Sequence, residues 1–311
     1  MENLLQAKIN VEVISTLKTH TDSHAEIPIG ESPLRLAAAH TRKGCAEALL
    51  DARADVNGGW PGGGSALHVA ARWGNGEVVT LLLARGADVE VLDHDGDSPL
   101  RVAAYYNQPE SVQLLLAGGA RLGARSSAGA MAVHVAAERG KGVAALKMLL
   151  EKGVRTDAGV DATIKPDVDS SGEKRLDGRF PLYLAARSGR LDAVYLILQQ
   201  KRVDKNQSTK IPRRTALHAA ALGGHVEVVQ ALIGARARVA LLDKNGNTAL
   251  SDAVAAMREG DDALLRAKHA QIVKLLIAAG AEDPKAILAA SWDGRVDEVG
   301  FSRRGRGTGA W

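Results

Sequence analysis

Histidine gives this sequence its most evident chance of catalytic or metal chemistry, because an imidazole can hold a metal ion or transfer a proton near neutral pH. His68, His134 and His218 each occupy the fourth position of a similar seven-residue motif, SALHVAA, MAVHVAA and TALHAAA. A metal site would need several ligands close together, and no Cys/His cluster surrounds any of the three. One histidine per motif instead predicts a structural hydrogen-bonding role, so we expect no metal site.

The glycine-rich segments predict no nucleotide chemistry. Gly62, Gly63, Gly64 and Ser65 precede a predicted helix but lack the lysine of a phosphate-binding loop, so we expect a wide hairpin. The glycines of the C-terminal tail imitate part of a dinucleotide fingerprint without a strand or helix around them. The sequence also offers no nucleophile beside a base and no paired carboxylates in a defined pocket. We therefore expect no catalytic residue and no cofactor, and predict that the chain is not an enzyme.

A repeated motif organises the chain and must position any functional side chain. Its first apolar residue recurs with gaps of 33, 33, 33, 49, 35 and 33 residues, at Leu34, Leu67, Leu100, Val133, Leu182, Leu217 and Leu250. Each unit follows the order turn, short helix, turn, second helix. A period of 33 residues with this order is typical of a helical solenoid.

The unit from Gly64 shows the physical basis of the pattern. Ser65 is expected to cap a first helix, in which Leu67 and a pair of alanines share one face. Gly74 is expected to end that helix in a left-handed conformation, and Gly86 to end the second. The cap position is also held by Ser32, Ser98, Thr215 and Thr248.

These motifs resemble the ankyrin repeat family over roughly residues 30–283, as seven repeats of varying quality. The resemblance implies an all-α ankyrin-repeat solenoid of helix-turn-helix units with projecting hairpin loops. Some positions depart from the family pattern. Arg53, Lys201 and Arg236 replace the glycine that closes the second helix, so each must take a strained turn or reshape it. Asn107 and Met257 replace the glycine between the helices.

The ends and the insertions divide the chain further. Residues 1–29 are predicted to be a truncated repeat that serves as an N-terminal capping helix, and residues 284–311 a partial eighth repeat followed by a basic disordered tail. Residues 155–178 are predicted to form an enlarged loop, because they are polar and contain proline and glycine. The insertion at about residues 256–270 favours helix and is expected to lengthen both helices of the seventh repeat.

Composition narrows the class of protein. The apolar fraction is 46%, but no apolar run approaches the ~20 residues that cross a bilayer. Cys45 is the only cysteine, which excludes an intramolecular disulfide and favours a reducing compartment. It aligns with Val78 and is predicted to be a small core residue. A formal net charge of +4 does not favour nucleic-acid binding. We expect a monomer in the cytoplasm, and a nuclear location stays open.

The resemblance implies a non-catalytic interaction module or scaffold that binds a protein partner on its concave face. Helix positions five and six after each register residue, with the hairpin tips, form that face in the family. The aromatic and arginine residues at these places are the predicted contacts, since such side chains dominate binding energy at interfaces: Trp60, Arg72, Trp73, Tyr105, Tyr106, Arg139 and Arg187. The alternative is that the aromatic side chains cover helix ends and contact the neighbouring repeat.

A basic cluster supports an alternative function. Its two ends are separated like the halves of a bipartite nuclear-import signal, with Lys201 and Arg202 before and Lys210, Arg213 and Arg214 after. Such runs are usually only solvated loops. If it is a signal, the chain is a nuclear transcriptional co-regulator that uses the same surface. A third possibility is that the chain is the interaction region of a larger, truncated multidomain protein.

Overall fold

The structure, a computed structural model, describes residues 32–59, 64–127, 129–154, 178–210, 212–259 and 262–292. The predicted capping helix, most of the predicted loop and the tail beyond residue 292 lie outside these ranges. The chain divides into two units, one of residues 1–155 with 160–176 and one of residues 156–159 with 177–311. The two units are described separately.

The described part of the first unit consists of four helix pairs. In each pair a first, inner helix is followed by a second, outer helix: α1 (Pro33–Ala39), α2 (Lys43–Asp51), α3 (Ala66–Trp73), α4 (Gly76–Ala84), α5 (Pro99–Tyr105), α6 (Pro109–Ala117), α7 (Ala132–Glu138) and α8 (Ala144–Glu151). Inner helices pack against inner helices in the order α1, α3, α5, α7, and the outer helices stack in the same way.

The second unit repeats this arrangement with three pairs and one further helix. They are α9 (Pro181–Arg187), α10 (Leu191–Leu198), α11 (Ala216–Leu222), α12 (Val226–Gly234), α13 (Ala249–Glu259), α14 (Ala263–Ala278) and α15 (Pro284–Trp292). The described residues contain no β-strand, and an isolated antiparallel bridge joins Ser208 to Thr215. Both units are therefore stacks of helix pairs, as the repeat predicts.

Alanine lets the inner helices approach one another closely. The two alanines that end six of the seven motifs are almost completely buried, as at Ala70 and Ala71 in α3 and at Ala103 and Ala104 in α5. Their small side chains leave the leucines and valines of both helices to fill the space between repeats. Leu67, Val78, Val79 and Leu82 have no exposed surface, and each contributes about 2 kcal/mol through the water it excludes.

Cys45 is a correction to the sequence prediction. It is only half-buried, whereas Val78, at the same position of the next repeat, is completely buried. Among the described outer helices, α4 is packed between α2 and α6, but α2 packs against α4 alone. The second neighbour that would bury Cys45 is therefore absent from the described residues.

Hydrogen bonds from two of the motif histidines fasten their repeats to the next. The Nε2 atom of His68 donates to the carbonyl of Asp97 at 2.9 Å, and that of His218 to the carbonyl of Asn247 at 3.1 Å. The Nδ1 atom of each ring accepts from a backbone N–H three residues earlier, as it also does in His134. Arg101 replaces the histidine in the third pair and donates to the carbonyl of Ala130 at 3.0 Å. The predicted structural role of the histidines is confirmed.

A second set of hydrogen bonds runs in the opposite direction. The residue before an outer helix donates to a carbonyl at the end of the inner helix in the preceding repeat. Gln108 donates to the carbonyl of Arg72 at 3.1 Å, and His225 to that of Arg187 at 2.9 Å. The interface between the second and third repeats is thus fastened both at the hairpin, by His68, and between the helices, by Gln108.

Unusual backbone conformations mark the departures from the family pattern. Arg53 and Arg236 have φ of 63°, so both take the strained turn. Asn107 does the same with φ of 59°, but Lys201 does not. At Met257 the turn is absent, because α13 continues through this position to Glu259 and buries the methionine. The helices of this seventh pair have 11 and 16 residues, and residues 256–259 and 263–270 of the insertion lie in them.

Candidate partner-binding site

Three aromatic side chains lie together at the ends of two adjacent inner helices in the first unit. Trp73 is the last residue of α3, and Gly74 ends the helix with φ of 75°. Tyr105 and Tyr106 end α5, just before the left-handed Asn107. The two tyrosine rings meet edge to face with centroids 4.8 Å apart. Trp73 remains 58% exposed, so the neighbouring repeat does not cover it.

Two cations lie against the same tyrosine ring. The Arg72 guanidinium is 4.6 Å from the centroid of Tyr106, and the Lys141 ammonium is 4.8 Å from it. Arg72 also lies 5.7 Å from the ring of Trp73. The backbone N–H of Lys141 donates to the carbonyl of Tyr105 at 3.1 Å, which holds this loop residue against α5. The attraction between a cation and an aromatic face orients both charged side chains.

A cavity of about 410 Å³ lies beside this cluster. Inner helices and the hairpin between the second and third pairs line it: Arg35, Gly64, His68, Val69, Arg72, Asp93, His94, Asp95, Asp97, Val102, Tyr105, Tyr106 and Arg139. Its wall is polar, with arginines on the helices and aspartates on the hairpin. A space of this size can take a few side chains of a partner.

The acidic wall is largely occupied by contacts within the hairpin. Asp97 pairs with Arg101 at 2.8 Å. Burial raises the pKa of Asp97, and the nearby charge of Arg101 opposes that rise. The Asp93 carboxylate accepts from the backbone N–H groups of Asp95 and Asp97 at 3.0 and 2.8 Å. The acids therefore shape the loop.

Asp93, His94 and Asp95 form a cluster that the sequence analysis did not identify. Each offers a potential metal-ligand atom, and these atoms lie within 4.8 Å of one another. Asp93 is engaged by backbone amides, however, and His94 lies 3.4 Å from the exposed carboxylate of Asp95. These contacts account for the grouping without a metal ion.

The structure brings together most of the predicted contact residues. The cavity is lined by Arg72, Tyr105, Tyr106 and Arg139. Trp73 is not in the lining, but its ring lies 5.7 Å from the Arg72 guanidinium. Arg139 ends α7 and pairs with Glu138 at 3.6 Å. Trp60 lies outside the described residues. Arg187 is exposed at the end of α9 in the second unit.

Sequence reasoning missed Arg35 and Lys141. Arg35 occupies the motif-histidine position of the first pair and is buried at the cavity wall. The lack of a histidine in SPLRLAA was the signal that could have identified it. Lys141 lies two residues beyond the pair of helix positions that the family pattern singles out, so only the fold reveals it.

The basic cluster separates into two environments in the second unit. Lys201, Arg202, Lys210 and Arg213 are exposed. Arg214 is instead held between two buried carboxylates, 3.3 Å from Asp243 and 3.3 Å from Asp252. Arg214 therefore differs from the other four, because its charge is already paired within the fold.

Comparison with known proteins agrees with this architecture. The sequence matches the family described as ankyrin repeats (3 copies) at residues 4–93, 36–126, 100–209 and 182–287. The chain belongs to the ankyrin repeat family, whose members are in general protein-interaction modules without catalytic activity.

Similar curated proteins share only part of their length with the chain. Ankyrin repeat and SAM domain-containing protein 6 of Rattus norvegicus is 39% identical over 90 residues, which is 29% of this chain and 10% of that protein. Alpha-latroinsectotoxin-Lt1a of Latrodectus tredecimguttatus is 39% identical over 66 residues, 21% of this chain and 5% of that protein. The chain therefore spans about a tenth or less of the length of these relatives.

Solved structures resemble the larger part of the chain. The human ASB11 ankyrin repeat domain superposes with a TM-score of 0.64 at 25% identity, covering 81% of this chain and all of that domain. The ankyrin repeat domain of Bcl-3, a member of the IkappaB protein family, has a TM-score of 0.58 at 25% identity, covering 72% of this chain and 94% of that one. No helix within the described residues has both the length and the apolar character needed to span a membrane.

Proposed function

We propose that the chain is a non-catalytic module that binds a protein partner at the cavity of the first unit. The observation that carries this proposal is the exposed Trp73 beside the Arg72 and Tyr106 stack. A half-exposed tryptophan costs solvation free energy in the free protein, and a partner that covers it recovers that cost. Trp, Tyr and Arg are also the side chains that contribute most at interfaces.

The aromatic and the arginine side chains of the site would contribute to binding in different ways. Trp73, Tyr105 and Tyr106 offer apolar surface at fixed positions, because helix ends and the edge-to-face contact hold them. Arg72 and Arg139 offer hydrogen-bond donors at the same opening. Rigid aromatic groups lose little conformational entropy on binding, which favours their use as anchors. Trp60 and Arg187 stay predicted contacts of the same partner.

The proposal is tested with a Trp73→Ala variant. We expect the affinity for the partner to fall at least tenfold, about 1.4 kcal/mol, and the melting temperature to stay within about 2 °C of the wild type. The stability is expected to hold because the side chain is 58% exposed. Tyr195→Ala removes an aromatic side chain of similar exposure, 51%, from the outer helix α10 and is the matched control.

Because the partner is not known in advance, both variants and the wild-type chain are used as bait in parallel pull-downs. A protein retained by the wild type and by Tyr195→Ala but lost by Trp73→Ala supports the proposal. Identical partners on all three baits would contradict it. A large loss of stability in Trp73→Ala would assign the tryptophan to the core.

The exposed basic residues favour a second candidate function, that of a nuclear transcriptional co-regulator using the same cavity. Lys201, Arg202, Lys210 and Arg213 are accessible to an import receptor. Substituting all four by glutamine in a fluorescent fusion should reduce nuclear accumulation, with Arg214 left intact because its ion pairs belong to the fold. An unchanged distribution between nucleus and cytoplasm would remove this alternative and leave the cytoplasmic module.

A further inference from the structure

The charges around the cavity are unequally compensated. Asp97 is paired with Arg101 at 2.8 Å, Asp95 lies beside His94, and Arg139 lies beside Glu138. Arg72 and Lys141 are exposed, and neither forms an ion pair with any residue in the described ranges. Arg72 and Lys141 therefore keep their positive charges available to a partner.

The ring of Tyr106 holds both cations. The Arg72 guanidinium lies 4.6 Å and the Lys141 ammonium 4.8 Å from its centroid. An acidic segment that passes this ring is attracted by both charges. A guanidinium stacked on a ring keeps its N–H edge available, and that edge matches the two oxygens of a carboxylate.

We propose that Arg72 and Lys141, held on Tyr106, form a carboxylate-binding site that selects an acidic segment of the partner protein. This inference rests on the proposed function and adds the chemical class of the partner. Acidic side chains of that segment contact the two cations, and an apolar neighbour covers Trp73. The arrangement favours a protein over a nucleic acid, because a formal net charge of +4 gives little attraction for a continuous chain of phosphates.

The experiment is a selection of phage-displayed random 12-residue peptides on the full chain, followed by fluorescence polarisation with the enriched peptides. We expect enrichment of Asp and Glu, and a rise of about tenfold or more in Kd for the Arg72→Gln, Lys141→Gln double variant. Wild-type binding should also weaken from 50 to 500 mM NaCl more than the residual binding of that variant, because salt screens exposed charges.

The matched control is the double variant Lys147→Gln, Lys152→Gln. It loses the same net charge from the fourth repeat, on the outer helix α8 and at its end. An effect of equal size in both variants would mean that general electrostatic attraction, and no specific site, governs binding.

The outcomes separate this inference from the proposed function. Peptides that lack acidic residues, or that bind the Arg72→Gln, Lys141→Gln variant unchanged yet fail to bind Trp73→Ala, would overturn the carboxylate site and leave the binding surface intact. Peptides that bind all variants equally, or a selection that yields no binder on the wild-type chain, would overturn both. Binding of a single-stranded oligonucleotide in competition with the peptides would overturn the preference for a protein segment.

Discussion

A single buried carboxylate shows how the physical chemistry of one residue affects the stability of the second unit. Asp252 stands at a core position of α13, and its side chain is only 5% exposed. One of its oxygens faces Arg214, and the other, Oδ2, has no hydrogen-bond partner. Burial raises the pKa of Asp252 to about 6, and the charge of Arg214 only partly opposes this effect.

The sign of the pH dependence follows from that pKa. Because the folded value of about 6 lies above the ordinary value of 3.8, the stability of the fold falls as the pH rises from 3.8 to 6, and the full loss is present above pH 6. Asp252→Asn should therefore be more stable than the wild type at pH 7.5, by about 2 kcal/mol. The difference should shrink as the pH falls from 6 towards 4. Urea denaturation at a series of pH values measures it.

Asp243 also pairs with Arg214, but its pKa is shifted in the opposite direction from that of Asp252, so it serves as a control. Burial alone would raise its pKa, but the backbone N–H groups of Asn247 and Asn245 and the Arg214 guanidinium outweigh that effect and lower it. Asp243→Asn should therefore be less stable than the wild type at pH 7.5, with the loss disappearing as the pH falls below 4. If both variants change stability in the same direction, the assignment of the two carboxylates is wrong.

Two of the motif histidines, His68 and His218, have lowered pKa values. Burial lowers the pKa of His68 and of His218, which agrees with rings that are neutral, donate through Nε2 and accept through Nδ1. Protonation would remove the Nδ1 acceptor that Ser65 and Thr215 use. The stability that these rings provide is complete above pH 6.5 and is lost as the pH falls through their lowered pKa.

At the scale of the helix pair, a glycine turn fixes the spacing between repeats. Gly74 has φ of 75°, and a Cβ atom there would lie 2.4 Å from the side-chain oxygen of Gln108. Gln108 in turn donates to the carbonyl of Arg72. Gly74→Ala therefore combines backbone strain with the loss of a hydrogen bond between repeats.

We expect Gly74→Ala to lower the free energy of unfolding by about 2–3 kcal/mol, of which about 1 kcal/mol is strain. Gly86→Ala isolates that strain, because Gly86 has φ of 82° but no atom within 4 Å of an added Cβ. Thermal unfolding of both variants distinguishes the two contributions. Equal losses would show that Gln108 moves aside without cost.

Sequence alone predicted the helix pairs because each carries its own local signals. The period of 33, the paired alanines and the closing glycines determined the order of helices, and Arg53 and Arg236 take the strained turns expected of them. Ser98, Thr215 and Thr248 accept capping bonds, but Ser32 does not. Lys201 and Cys45 were harder to predict, because their conformation and burial depend on neighbouring segments.

The candidate site was only partly predictable for the same reason. Trp73, Tyr105 and Tyr106 could be identified because the repeat register numbers the inner helix positions. Lys141 could not, since its approach to Tyr106 depends on how a loop of the fourth repeat lies against α5. The pairing of Arg214 with Asp252 likewise joins residues that no single motif contains.

At the scale of the whole molecule, stability should be distributed locally. The principal packing partners of α11 are α9, α12, α13 and α14, all within the second unit. Repeat arrays gain their stability from such neighbouring interfaces. A core defect should therefore weaken its own neighbourhood more than distant repeats.

Leu217→Ala tests this expectation, since Leu217 is 1% exposed in α11. The loss of about 3 kcal/mol should reduce amide hydrogen-exchange protection in α9 to α14 and leave α3 to α6 unchanged. Leu67→Ala should produce the converse pattern. Uniform loss of protection along the chain in either variant would show that the whole array unfolds as one cooperative unit.

The hydrogen bonds that run back to the inner helix of the preceding repeat affect how such a chain can lengthen. The donor normally lies 36 to 38 residues after its acceptor, as in Gln108 to Arg72 and His225 to Arg187. In the enlarged seventh repeat the separation is 47 residues, yet His269 still reaches the carbonyl of Leu222 at 3.1 Å. The repeat can thus gain residues in its helices and still keep its hydrogen bond to the preceding repeat. Evolution can therefore change the number of residues between donor and acceptor, as long as the folded chain still brings the donor to the carbonyl.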